Sequence, residues 1–289
     1  MFQRPLRPAD PRPLDHRTGK PIPIHGPEGF AGMRRAGRLA AATLDFIAEH
    51  IRPGVSTGEL DRRCDHFMRD HGAVPATVGY KGYTHATCIS VNQVVTHGVP
   101  SDAKKLKNGD IVNVDVTPIL DGWHGDSSRT FLVGKPSKRA RKLVATCYEA
   151  MMAGIAVVRP GTTLGDIGAA IDRVARREGY SNVQEFCGHG LGRVFQDAPT
   201  VLHYGEPGTG ARLQPGMFFT IEPMLNAGRR HVKVLADGWT AVTRDRSLSA
   251  QWEHSVGVTE DGVEIFTLGA GEAAPPALAA PRRGAESFR

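Results

Sequence analysis

The 289-residue chain carries 36 Lys and Arg against 30 Asp and Glu, a formal net charge of +6, and 40% of its residues are hydrophobic. Length and apolar content suffice for one large domain or two small ones with a sizeable core. The basic excess is spread along the sequence, with no basic run interleaved with aromatics and no nucleic-acid motif, so specific nucleic-acid binding is not expected. Cys64, Cys88, Cys147 and Cys187 form no C-x-x-C pair, the N-terminus lacks a signal-peptide apolar core, and no run reaches membrane-spanning length. A reduced, cytoplasmic chain that engages no membrane is the expectation.

Residues 1–27 hold seven prolines among Arg, Asp and His. Such text buries little apolar surface and reads as a flexible extension, with PxxP-like docking text at Pro5-Leu6-Arg7-Pro8 and Pro8-Ala9-Asp10-Pro11. Residues 28–268 read as the folded domain, and 269–289, rich in Ala, Pro and Arg, as a disordered tail. The domain is duplicated: Ile51-Arg-Pro-Gly-Val-Ser-Thr-Gly-Glu-Leu recurs 107 positions later as Val158-Arg-Pro-Gly-Thr-Thr-Leu-Gly-Asp-Ile. Ser56 with Glu59 and Thr163 with Asp166 have capping-box spacing, which predicts a helix start in each copy. Leu60, Cys64 and Phe67 line one face of the first helix, and Ile167, Ile171 and Val174 one face of the second. Gly72 and Gly179 follow their ends. An amphipathic helix precedes each, over 30–50 and 138–158. Strand-like text follows, over 88–96 and a hairpin at 109–131 in the first half, and over 185–195 and 217–221 in the second. Two αα-plus-antiparallel-β halves predict an α+β domain, with helices backing a curved antiparallel sheet and a cleft near the pseudo-twofold axis.

The hairpin carries the first chemistry. Ile111, Asn113 and Asp115 alternate with Val112, Val114 and Val116, so Asn113 and Asp115 share a face, and the return through His124-Gly-Asp brings Asp126 near Asp115. Two buried carboxylates that close share a proton or hold a cation between them; otherwise one caps the turn and the other pairs with an arginine. The second half offers three further groups in strand-like text. His189 sits between glycines, Glu222 ends an apolar run before a proline, and Glu253 lies near Arg244 and Arg246 as alternative partners. Four carboxylates and one histidine in one domain favour a hard or borderline divalent cation.

The residues Thr96-His-Gly-Val-Pro, Asn113-Val-Asp-Val, His124-Gly-Asp, Gly188-His-Gly-Leu-Gly, Phe219-Thr-Ile-Glu-Pro and Ser249-Ala-Gln-Trp-Glu-His carry a family resemblance. Over residues 29–267 the chain resembles type I methionine aminopeptidases of the pita-bread fold; only 31 positions separate Glu222 from Glu253, which leaves no room for the type II insertion. The resemblance implies that Asp115, Asp126, His189, Glu222 and Glu253 hold two divalent metals (Co, Mn, Fe or Zn), with Asp126 and Glu253 bridging. It implies proton transfer by Glu222, contact of His97 with the substrate amide, and a methionine pocket of Thr77, Tyr80, Tyr83, Cys88, Phe195 and Trp239. It further implies a monovalent cation at backbone groups of Asn92, Val94 and Ser249. The expected substrates are Met peptides and nascent chains with a small second residue. A monomer is expected, with the basic surface and Pro-rich extension as a route to the ribosome.

One departure bears on mechanism. Gln196 stands where the family usually has a histidine that donates to the substrate carbonyl, so intact metal binding with reduced or altered peptidase activity is the expectation. Thr84 replaces a usual proline, and Thr77 and Thr96 replace common cysteines. The alternatives are a specialised or weakly active paralogue with other N-terminal preferences or inhibitor sensitivity, and a non-catalytic ribosome-associated protein of the same fold.

Overall fold

The structure, a computed structural model, describes residues 12–270 and residue 272. Four helices are the frame: α1 (Pro27–Ala48), α2 (Thr57–Asp70), α3 (Lys138–Ala156) and α4 (Leu164–Arg177). α2 and α4 are each 14 residues long and begin where the caps predict. Thr163 and Asp166 close a full capping box. The first copy forms half of one: Ser56 accepts from the Glu59 N–H, but the Glu59 carboxylate turns outward to Arg63, and the Ser56 hydroxyl donates to Asp102. Both helices end alike. Gly72 and Gly179 take φ of 77° and 76°, and the next residues reach back, Ala73 N–H to Met68 O and Tyr180 N–H to Ala175 O. That pairing of a left-handed residue with a six-to-one hydrogen bond is the Schellman motif.

Each helix pair packs its own core. Leu44, Ile47, Leu60, Cys64 and Met68 meet Val112, Val114 and Val116, whereas Leu143, Ile155, Ile167 and Ile171 meet Phe219 and Val256. Phe67, expected on the buried stripe, sits at its edge and stacks on Phe46, while Met68 is fully buried. The strands are antiparallel throughout, and the expected α+β architecture is the one found.

The hairpin is built from Ile111–Val116 and Ser127–Leu132, which pair in register, Asn113 opposite Thr130 and Asp115 opposite Ser128. Between them Pro118–Leu120 and Trp123–His124 form an inner ladder closed at Asp121-Gly122, whose φ values are 51° and 77°. Two positive φ values in a two-residue loop are the type I′ turn that matches strand twist. The 185–195 text is not one long strand: only Gly188–Gly190 pairs, with Asp197–Val201 on one side and Phe219 on the other.

Residues 12–26, expected within the loose extension, are packed against the domain. Ile22 is fully buried in the α3–α4 core, worth about 1.5–3 kcal/mol for such a side chain. The buried Asp15 carboxylate accepts from the Thr200 N–H and hydroxyl, each at 2.8 Å, and His25 stacks on Phe218. Composition alone hid these contacts, because two apolar or buried anchors outweigh the weak propensity of the prolines around them. At the other end Glu272 accepts from the Gly269 N–H and lies 3.8 Å from Arg129. The PxxP-like text at 5–11 and the tail at 273–289 lie outside the described residues. No helix among the described residues is long and apolar enough to cross a membrane.

Candidate metal centre and cleft

The two halves meet at a cleft with a cavity volume of about 290 Å³. Asp115, Asp126, His189, Glu222 and Glu253 all line it, as do His97, Thr77, Tyr80, Tyr83, Cys88, Phe195, Gln196 and Trp239. The cleft thus has an acidic floor and an aromatic wall.

The floor is wired by backbone and hydroxyl groups. Glu253 N–H donates to Ser128 O, the Ser127 hydroxyl donates to Glu253 O, and the Ser255 hydroxyl donates to Asp126 O. These tie the hairpin to the strand His254–Val258 and set Asp126 beside Glu253. Asn113, sharing its face with Asp115 as its alternation predicts, donates to Gln251 O and adds another tie. Asp126 takes the Thr117 hydroxyl on Oδ1 and faces His189 with Oδ2, 3.4 Å from Nε2. His189 Nε2 is also 3.7 Å from Glu222 Oε1. Arg244, considered as a partner for Glu253, instead donates to Val232 O, and Asp121-Gly122, not Asp126, makes the turn.

His189 stands between glycines because there is no room for side chains. A Cβ on Gly188 would collide with Thr220 O, and one on Gly190 with Ala198 O, so both glycines serve close approach of neighbouring backbone. The ring is oriented by Nδ1 on Gly190 O at 3.1 Å, which leaves Nε2 aimed at the carboxylates.

Ligand atoms of Asp126, His189 and Glu253 all lie within 4.8 Å of one another. Burial raises the Asp115 and Glu253 carboxyls well above their ordinary range, and mutual repulsion with Asp126 and Glu222 adds to it. Burial also pushes Glu222 up to about 7, against the pull of His189. Burial works to lower His189, but Asp126 and Glu222 prevail and raise it to about 9. Four clustered carboxylates facing one imidazole lack positive charge, and their oxygen and nitrogen donors suit a divalent cation.

Comparisons with known proteins agree with that donor set. The sequence model described as metallopeptidase family M24 matches residues 31–260. The chain belongs to metallopeptidase family M24. It is 55% identical over 249 residues to a methionine aminopeptidase of Rickettsia prowazekii, covering 86% of this chain and 95% of the relative. It is 52% identical over 248 residues to one of Escherichia coli K12, covering 86% and 94%. The crystal structure of the Rickettsia prowazekii methionine aminopeptidase superposes with a TM-score of 0.84 at 55% identity, covering 86% of this chain and 100% of that one. The architecture is the pita-bread fold, and membership of M24 together with the cluster of Asp126, His189 and Glu253 supports use of a divalent metal.

Several cleft residues of this M24 chain escaped the sequence reading. Phe186 packs edge-on to His97, and Cys187 and Lys81 also line the cavity. Behind it, the fully buried His203 accepts the Glu222 N–H on Nε2 at 3.1 Å and is held neutral, burial lowering it to about 3. Thr220 accepts the His189 N–H and donates to Glu222 Oε1, so one hydroxyl fixes two site residues. Of these, only Thr220 carried a signal in the sequence, as a polar residue inside apolar strand text. Of the three positions read as a monovalent-cation site, Ser249 N–H donates to Asn92 O at 2.8 Å, and Val94 pairs with Val242.

The charge imbalance sets a pH dependence. Glu222, raised when folded, costs no stability below its unfolded value near 4.5, and the cost is complete above about 7. His189, raised by its acidic partners, contributes stability that is whole below 6.5 and is lost as pH rises through about 9. Neutral buried His97, His203 and His254 act in the opposite sense only below 6.5, so pH 6.5–9 is the clean window. Chelator-treated protein is expected to lose a few kcal/mol across that window, and the gain in Tm on adding Mn²⁺ is expected to grow with pH. A Mn²⁺ stabilisation that shrinks between pH 6.5 and 9 would contradict this account of the cluster.

Proposed function

We propose that this chain is a type I methionine aminopeptidase that releases N-terminal methionine from peptides and nascent proteins whose second residue is small. The observation that carries the reading is the junction, in one cavity of about 290 Å³, of an acidic and imidazole floor with an aromatic wall. Asp115, Asp126, His189, Glu222 and Glu253 would hold two divalent ions. Bound there, the ions would supply a water of lowered pKa and polarise the scissile carbonyl.

The chain's own residues do the rest. Tyr83 and Trp239, edge-on at 4.9 Å, and Tyr80 and Phe195 at the same separation enclose an apolar, polarisable space for a thioether. Cys88 and Thr77 complete its lining. The free α-amine meets the carboxylate floor, so a blocked N-terminus is excluded. Glu222 takes the proton of the attacking water and returns it to the leaving amine. Its carboxylate is aimed for this by the Thr220 hydroxyl at 2.7 Å and the Gln251 amide at 3.3 Å. His97, with φ of 56° and burial lowering its pKa to about 4, offers a neutral ring to the substrate amide. Gln196 offers an amide donor to the carbonyl oxygen. A monovalent cation at backbone groups of Asn92, Val94 and Ser249 belongs to the same reading.

The test is methionine release from Met-Ala-Ser and Met-Gly peptides. Release is expected to vanish on chelation and to return with Co²⁺, Mn²⁺, Fe²⁺ or Zn²⁺, and acetylated peptides are expected to be inert. Metal-loaded protein that frees no methionine from either peptide would instead favour a non-catalytic binding protein of the same fold.

A further inference from the structure

The rim of the cleft holds a contact that joins the two halves. In the first half the turn around Tyr80–Gly82 is sharply bent, with Gly79, Lys81 and Gly82 at φ of 84°, 47° and 84°. It presents Tyr80 to the second half across 116 positions of sequence. There the ring meets Phe195 edge-on at 4.9 Å, and the hydroxyl donates to Gln196 Oε1 at 2.9 Å. The Lys81 ammonium lies 5.0 Å from the same ring.

The two ends of a primary amide differ chemically. One accepts and the other donates, and an exposed glutamine samples both orientations unless something distinguishes them. Gln196 is exposed, yet one contact distinguishes its ends: the Tyr80 hydroxyl donates to the oxygen. With Oε1 engaged at the rim, the two Nε2 hydrogens are free for a group bound in the cleft.

We propose that Tyr80 is a positioning residue that locks the Gln196 amide with Nε2 toward the cleft, so that a glutamine serves as donor to the substrate carbonyl as negative charge grows on it. This rests on the peptidase reading of the cleft. It differs from simple pocket lining, because the hydroxyl, not the ring, is the functional part of Tyr80. The Tyr80→Phe variant keeps the ring and its contact with Phe195.

Two measurements test it. The side-chain ¹⁵N-amide signal of Gln196, identified by its loss in Gln196→Ala, is followed in protein free of added metal; Tyr80→Phe is expected to move it. In steady-state release of methionine from Met-Ala-Ser by the Mn²⁺-loaded enzyme, Tyr80→Phe is expected to lower kcat about fivefold, the worth of one neutral hydrogen bond, with KM unchanged. In the Gln196→Ala background the same substitution is expected to change neither constant. An amide signal indifferent to Tyr80→Phe overturns the contact itself. A moved signal with unchanged kcat, or a loss confined to KM, overturns the positioning role. Wild-type enzyme that releases no methionine defeats the peptidase reading and this role with it, and the amide signal then reports separately whether the contact exists.

Discussion

Glu222→Gln is expected to lower kcat for methionine release by about 10²–10⁴-fold, the usual contribution of a positioned general base. The same substitution is expected to stabilise the metal-free protein. Glu222 is one of four carboxylates around His189, and burial with the charge of Asp126 already pushes it up to about 7. An amide removes that repulsion at neutral pH and keeps the shape. The Thr220 hydroxyl still finds an oxygen to donate to, and the backbone N–H stays on His203. The Gln251 amide, which donates to Oε2 in the wild type, has its own Oε1 buried without a partner, so a flip of Gln251 offers an acceptor to the new N–H₂. Activity and metal-free Tm therefore move in opposite directions. Calorimetry on chelator-treated protein beside peptide kinetics at saturating Mn²⁺ reads both. A variant that keeps more than about a tenth of kcat would remove Glu222 from proton transfer, and one that lowers the metal-free Tm would contradict the repulsion.

The parts of this architecture that were legible in the sequence are those set by local chemistry. Alternation placed Asn113 and Asp115 on one face, the duplicated caps at Ser56 and Thr163 fixed two helix starts, and Gly72 and Gly179 fixed their ends. What was not legible depends on distant neighbours. Glu59 leaves its cap because Arg63 and Asp102 compete for the partners at that helix start. The 12–26 segment is held by the buried Ile22, by Asp15 on Thr200 and by His25 on Phe218, none of them visible as a pattern. Within the site, the metal-ligand candidates stood out because charge inside apolar strand text is costly and demands a reason. Thr220, Gln251 and His203 did not, since neutral polar groups are common in strands; Thr220 lies only two positions from Glu222, but the ties of Gln251 and His203 to it appear only when a second strand and a loop are brought against it. The aromatic wall was readable only through the family resemblance; single aromatics carry no positional signal of their own.

Gln196 is expected to set how fast the assembled site runs. Truncation in Gln196→Ala is expected to lower kcat by about 10²–10³-fold, the cost of losing one donor to a developing oxyanion. Gln196→His is expected to raise kcat/KM, because a protonated imidazole donates more strongly than a neutral amide. The sign of the pH dependence separates this from a packing effect. An imidazole near its ordinary pKa of about 6.5 is charged only below that value, so the advantage of the histidine variant grows as pH falls from 8 to 6. Wild-type enzyme has an amide that does not titrate, and its ratio to Gln196→Ala stays constant over the same interval. The side chain is exposed at the rim and its partner is the Tyr80 hydroxyl, so a ring of similar reach fits without disturbing the buried floor. Peptide kinetics on the three proteins at pH 6, 7 and 8, each at saturating Mn²⁺, measure the ratios directly. A histidine variant no faster than wild type at any of these pH values would show that the chain has lost nothing by the exchange.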